Sequence, residues 1–120
     1  MSNQRKRETL QVATGEVRGL KVYISGPVTG RPRRNEPAFR RAAERIRAAG
    51  HEPLVPLDVV PEGVEGWHEA MRHCLTYLPT CDAVAMLDGW EGSRGARVEL
   101  IVARACGLAE MRVGGKGSAL

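Results

Sequence analysis

The stretch Gly89-Trp90-Glu91-Gly92-Ser93-Arg94-Gly95-Ala96-Arg97-Val98-Glu99 gathers residue types that a small-molecule site needs. Gly92 and Gly95 let backbone come close to a ligand, because no Cβ stands in the way. Ser93 sits where a helix N-cap would, and the free N–H groups of a helix start favour an anion. Glu99 follows one to two turns later. There it either complements the helix dipole or faces a ligand crevice as nucleophile or acid/base. A second glycine-rich stretch is Ser25-Gly26-Pro27-Val28-Thr29-Gly30-Arg31. It is neither GxGxxG nor a Walker A motif, so no standard dinucleotide or triphosphate site is implied. It reads as a plain turn or as a phosphate dock, with Arg31, Arg33 and Arg34 as candidate contacts.

Both stretches need elements to hold them. Leu20 to Ser25 is a β-prone run stopped by Gly26-Pro27. Residues 37–49 read as a helix, with Phe39, Ala42, Ala43, Ile46 and Ala49 on one stripe and Gly50 as C-cap. Residues 51–55 form a second short strand, closed by Pro56. Residues 67–78 read as a helix with Trp67, Met71, Cys74, Leu75 and Leu78 on its apolar face. Residues 82–87 are almost wholly apolar, as a central parallel strand covered on both faces should be. Residues 94–106 read as a third helix burying Val98, Ile101, Val102 and Ala105, with Gly107 ending it and residues 108–113 as a last strand. The order βαβαβαβ predicts an α/β sandwich with a parallel sheet. In such sheets ligands sit beyond the carboxyl ends of the strands, where the two glycine-rich stretches would meet.

The 120 residues suit one domain: an arm at 1–19, a body at 20–113 and a tail at 114–120. Arm and tail are expected to be flexible from their charged and glycine-rich composition. No apolar run approaches the roughly 18 residues of a membrane span, and residues 1–16 lack a signal-peptide core. A cytoplasmic protein without membrane association is expected. Three cysteines (Cys74, Cys81 and Cys106) without a CxxC argue against a disulfide framework or a zinc site. His68 and His73 are poorly spaced for metal, so none is expected. The net charge of +4 suits an anionic partner. The few aromatics do not alternate with basic residues, so nucleic acid is not the expected partner.

Four segments together resemble the nucleoside 2-deoxyribosyltransferase-like superfamily. They are Tyr23-Ile24-Ser25-Gly26-Pro27, Ala48-Ala49-Gly50-His51-Glu52, Cys81-Asp82-Ala83-Val84 and the stretch from Gly89 to Glu99. The resemblance spans about residues 20 to 113 and is closest to a small phage and bacterial branch. It implies a flavodoxin-like three-layer sandwich with a parallel sheet of four to five strands. It implies cleavage of the N-glycosidic bond of a nucleoside or nucleotide, with no cofactor, by a homo-oligomer with shared active sites. The family nucleophile, a glutamate early in the helix after the third strand, matches Glu99. A first-strand tyrosine that orients it matches Tyr23.

Two positions bear on the substrate. Transferases of the superfamily tend to carry an acid six residues before the glutamate. Ser93 stands there in this chain and resembles the 2′-deoxynucleoside 5′-monophosphate N-hydrolases, in which a serine helps bind the 5′-phosphate. The resemblance thus implies a nucleotide substrate, bound through Ser25, Gly26, Thr29, Gly30, Gly92, Ser93 and Gly95. The departure is Cys74, where the superfamily often has an aspartate near the leaving base. A thiol only weakly replaces a carboxylic acid as proton donor. Glu69, His68 or His73 would have to substitute, or water would. A transferase and a non-catalytic nucleotide sensor are the alternatives. A basic nucleic-acid-binding module using the arginines of 5–7 and 31–47 is a third.

Overall fold

The structure, a computed structural model, describes residues 19–113. The expected arm and tail therefore lie outside the described residues, except for Gly19. Gly19 belongs with the body: its N–H donates to the Gly50 carbonyl at 2.8 Å.

Four strands, β1 (Lys21–Ser25), β2 (Glu52–Leu54), β3 (Ala83–Leu87) and β4 (Ala109–Val113), form one sheet in the order β2-β1-β3-β4. All pairings are parallel, with Tyr23 opposite Leu54 on one side and Val84 on the other. The sheet start is pinned by polar contacts. The Lys21 N–H donates to Asp82 Oδ2 at 2.9 Å, and the Asp82 N–H donates back to the Lys21 carbonyl at 2.8 Å. His51 Nδ1 accepts from the Leu20 N–H at 3.2 Å.

Helices cover both faces: α1 (Glu36–Ala48), the single turn α2 (Pro56–Val59), α3 (Trp67–Tyr77) and α4 (Arg94–Ala105). The strands alternate as a two-sided sheet must. Val22, Ile24, Ala83, Ala85 and Leu87 pack with Phe39, Ala42, Ala43 and Ile46 of α1. Tyr23, Val84 and Met86 point the other way, toward Cys74 and Leu78 below α3 and Ala96, Leu100 and Ala103 of α4. This is a three-layer, flavodoxin-like α/β sandwich. Element types follow the sequence pattern, with ends displaced by about a residue. The short α2 is the exception, where only a stop at Pro56 is expected from sequence.

Both long sheet-packed helices end alike. After α1, Gly50 takes φ +89°, and the His51 N–H reaches the Ile46 carbonyl at 3.0 Å. After α4, Gly107 takes φ +75°, and the Leu108 N–H reaches the Ala103 carbonyl at 3.0 Å. These are left-handed glycine caps that turn the chain directly into the next strand.

Two expectations about facing are corrected. α4 buries Ala96, Glu99, Leu100 and Ala103, not Val98, Ile101, Val102 and Ala105. Ile101 is 67% exposed, and Val98 and Val102 are only half-buried. The inner face combines small Ala96 and Ala103 with Leu100 and Glu99, and Val102 packs only at its edge. On α3 only Cys74 of the helix proper is buried. Trp67 and Met71 continue the apolar stripe past the sheet, where it lines an open cavity instead of the core.

Candidate active site

The strand order reverses between β1 and β3, so the loops after them diverge and leave a crevice. A cavity of about 800 Å³ occupies it. It is lined by Gly26 to Arg31 from the first loop and Gly92 to Ala96 from the third. Val60, Val64, Trp67, Ala70 and Met71 form an apolar wall. Glu99 and Cys74 reach it from α4 and α3.

Glu99 is a carboxylate on the sheet-facing side of a helix, 5% exposed. Burying such a group is costly unless it is hydrogen-bonded. Two hydroxyls from β1 supply the bonds. Tyr23 and Ser25 are two apart on one strand, so both point toward α4. The Tyr23 hydroxyl donates to Glu99 Oε2, and Ser25 Oγ donates to Oε1 at 2.8 Å. Both donors are fully buried.

Burial pushes the Glu99 carboxyl up to about 7, against the opposing pull of the Tyr23 and Ser25 hydrogen bonds. The group therefore changes charge near neutral pH. Burial first, and then the nearby Glu99 charge, hold Tyr23 well above the usual phenol range, so it stays a hydrogen-bond donor. Burial pushes the Cys74 thiol up to about 11, which keeps it protonated.

Ser93 caps α4: its Oγ accepts from the Ala96 N–H at 3.2 Å. The hydroxyl proton is left to point elsewhere. A Cβ on Gly95 would make ordinary contacts with Met71 Sδ at 3.4 Å and Trp67 Nε1 at 3.6 Å, so α3 and α4 lie close there without requiring glycine. Gly26, by contrast, is required by packing: a Cβ would lie 2.7 Å from Leu87 Cβ. Arg94 stacks its guanidinium 3.9 Å from the centre of the Trp67 ring, joining the starts of α3 and α4.

The residues expected to bind substrate thus divide. Gly26, Thr29, Gly30, Gly92, Ser93 and Gly95 line the cavity. Ser25 does not; its hydroxyl is engaged by Glu99. Glu69, His68 and His73, named as substitutes for the missing acid, do not line the cavity either. Glu65, which sequence reasoning did not name, does. Its segment, residues 60–66, has no period from which a wall could be read. Among the described residues no group of three or more His, Cys, Asp or Glu could hold a metal ion. No helix among them is long and apolar enough to cross a membrane.

Solved structures share this fold. The 2-deoxyribosyltransferase of Bacillus psychrosaccharolyticus superposes with a TM-score of 0.63 at 18% identity, over 82% of this chain and 74% of that one. The 2-deoxyribosyltransferase of Leishmania mexicana gives 0.61 at 22% identity, over 78% of this chain and 63% of that one. The chain thus spans less than two thirds of the Leishmania enzyme. The fold is that of the nucleoside 2-deoxyribosyltransferase-like proteins. By sequence, residues 20–111 match the domain of unknown function DUF4406, and the chain belongs to that family. No curated protein matches it by sequence.

Proposed function

We propose that the protein cleaves the N-glycosidic bond of a (deoxy)nucleoside 5′-monophosphate, releasing free base and sugar phosphate. The observation that carries this reading is Glu99, a buried carboxylate at the cavity with one hydroxyl on each oxygen. Ionised Glu99 attacks the anomeric carbon as the carbon–nitrogen bond breaks. The base leaves with the bonding pair and takes a proton from water. The hydroxide equivalent so formed attacks the same carbon, frees the sugar phosphate and returns the carboxylate. Tyr23 and Ser25 are positioning residues, because they hold the carboxylate in one orientation before attack. The Cys74 thiol, pushed up to about 11, is too weak an acid to protonate the base efficiently.

The nucleotide, as opposed to a free nucleoside, is supported by the chemistry of the cavity mouth. Ser93 offers a hydroxyl proton beside a helix start, and Arg31 and Arg34 line the same space. A phosphate suits these groups. The fold likeness also supports a transferase, in which a second base replaces water. The Cys74 position favours a third outcome, a sensor that binds without turnover.

Purified protein incubated with a panel of nucleotides and nucleosides separates these readings by chromatography of free base. Base released from nucleotides in water supports the hydrolase. Release only with an acceptor base supports the transferase, and binding without release supports the sensor. If Glu99→Ala releases base as fast as wild type, the catalytic assignment is wrong.

The reading includes a homo-oligomer with shared sites. Ile101 and Ala105 are exposed on α4 at helical spacing, with half-buried Val98 and Val102 beside them and Val102 packed on the core edge. Ile101 and Tyr77 are the large hydrophobic residues most exposed among the described residues. Ile101→Glu is expected to halve the mass seen by analytical ultracentrifugation; an unchanged mass removes this stripe as the interface.

A further inference from the structure

Where α3 and α4 begin, the cavity carries two charges that attack by Glu99 does not use. Arg94 is the first residue of α4, where the helix dipole opposes a cation, and no acid stands in that first turn to offset it. Its guanidinium is held instead on the Trp67 ring, 3.9 Å from the ring centre. His68 meets the same ring edge-on, with 5.3 Å between centroids. Stacking engages only the face of a guanidinium and leaves its in-plane N–H donors free. The Arg94 side chain makes no hydrogen bond or ion pair among the described residues.

Glu65 stands two residues before Trp67, across the extended Gly66 (φ −75°, ψ 138°). It lines the same cavity as Trp67 and Arg94. It too has no hydrogen-bond or ion-pair partner among the described residues. A fork of donors and a carboxylate therefore share one cavity without neutralising each other. A planar ligand that satisfies both needs a pair of acceptors on one edge and a pair of donors on the next. Guanine has this pattern: O6 and N7 accept, while N1–H and the C2 amine donate. Hypoxanthine lacks the amine. Adenine sets a donating amine beside N7 and has no N1–H. Cytosine accepts at O2 and N3 but offers a carboxylate only its single amine.

We propose that Glu65, Trp67 and Arg94 form a guanine-reading edge of the cavity, with Arg94 donating to O6 and N7 and Glu65 accepting from N1–H and the C2 amine. The inference rests on the nucleotide reading of the site and narrows its substrate to guanine nucleotides. Arginine to O6 and N7 is the commonest specific contact to a base. A fork already held on an indole also loses less freedom on binding than a mobile one.

The test uses the full chain carrying Glu99→Gln, so that ligands stay intact. The guanine, hypoxanthine, adenine and cytosine 2′-deoxynucleoside 5′-monophosphates are titrated by calorimetry. The guanine nucleotide is expected to bind about 10-fold more tightly than the hypoxanthine one, the scale of one hydrogen bond to a charged group. It should bind roughly 100-fold more tightly than the adenine one, which cannot take the arginine fork. Adding Arg94→Met should bring hypoxanthine and adenine nucleotides to similar affinity. Adding Glu65→Ala should do the same for guanine and hypoxanthine nucleotides. Affinities for all four within about 3-fold, a preference for adenine or cytosine, or no binding of any of them overturn the proposal. So does a guanine preference that survives either added substitution.

Base release by wild type is followed separately, by chromatography. Guanine preference in binding with no base released sustains the reading edge and refutes the hydrolase. Base released at equal rates from all four nucleotides, with no preference in binding, sustains the N-glycosidase and refutes the reading edge.

Discussion

α1 and α4 lie on opposite faces of the same sheet and end in the same kind of glycine cap, yet they bury different chemistry. α1 turns Phe39, Ala42, Ala43 and Ile46 inward. α4 turns Ala96, Glu99, Leu100 and Ala103 inward and sends Ile101 into solvent. The first follows its hydrophobic pattern; the second overrides it with a carboxylate. Local rules are kept where an element only supports the fold and are broken where it carries a site. β1 lies between them and serves both: Val22 and Ile24 pack on the α1 side, while Tyr23 and Ser25 face Glu99.

The sharpest way to break this comparison is to cut one inward residue from each helix. Glu99→Ala is expected to lower base release by at least roughly 10³-fold, as losing a nucleophile does. Ile46→Ala, fully buried on α1 and away from the cavity, should cost about 2–5 kcal/mol in denaturant unfolding. It should leave kcat near wild type while the protein stays folded. A loss of kcat in Ile46→Ala comparable to that in Glu99→Ala would mean that the two faces are not separable.

Glu99 should also act on stability in the opposite sense to Ile46. Its carboxyl is raised from 4.5 to about 7 by burial, so the fold binds its proton more tightly than the unfolded chain does. That contribution is fully present below pH 4.5 and is lost as pH rises through about 7. Glu99→Gln carries no such titration. Relative to wild type, it should gain little at pH 4 and about 3 kcal/mol at pH 8. Parallel urea melts at the two pH values check this; an equal difference at both would mean that Glu99 titrates normally in the fold.

The two faces also differ in how far sequence reveals them. The α1 side is legible because a single apolar stripe meets alternating strand residues. α4 carries two stripes two residues out of step, and size and hydrophobicity favour Val98, Ile101 and Val102 over the smaller Ala96 and Ala103. Only the sheet decides between them. The loops of the site were legible through Ser93 and the glycines, whose backbone roles need no tertiary context. Glu99 is legible as a candidate from its place after the glycines, Tyr23 only through a family likeness, and the structure brings them into contact. The role of Ser25 had a signal in the sequence, since it shares the Tyr23 face at a spacing of two. The apolar wall had none, because residues 60–66 are irregular and meet α3 only in the fold.

Ser25 gives the smallest and most discriminating test. Its hydroxyl donates to Glu99 Oε1 and favours the ionised form, as does that of Tyr23. Ser25→Ala leaves the carboxylate buried with one donor fewer, so ionisation becomes harder. As the proposed nucleophile, Glu99 acts only when ionised, so kcat/KM of wild type should fall as pH drops through about 7. In Ser25→Ala this acid limb should move to higher pH by about one unit, the scale of one hydrogen bond to a charged group. Above the new limb the rate should largely recover, because the nucleophile itself is intact. A residue that touched substrate would behave differently, lowering kcat/KM at every pH with the limb unmoved. That result would return Ser25 to the ligand and leave Tyr23 alone to position Glu99.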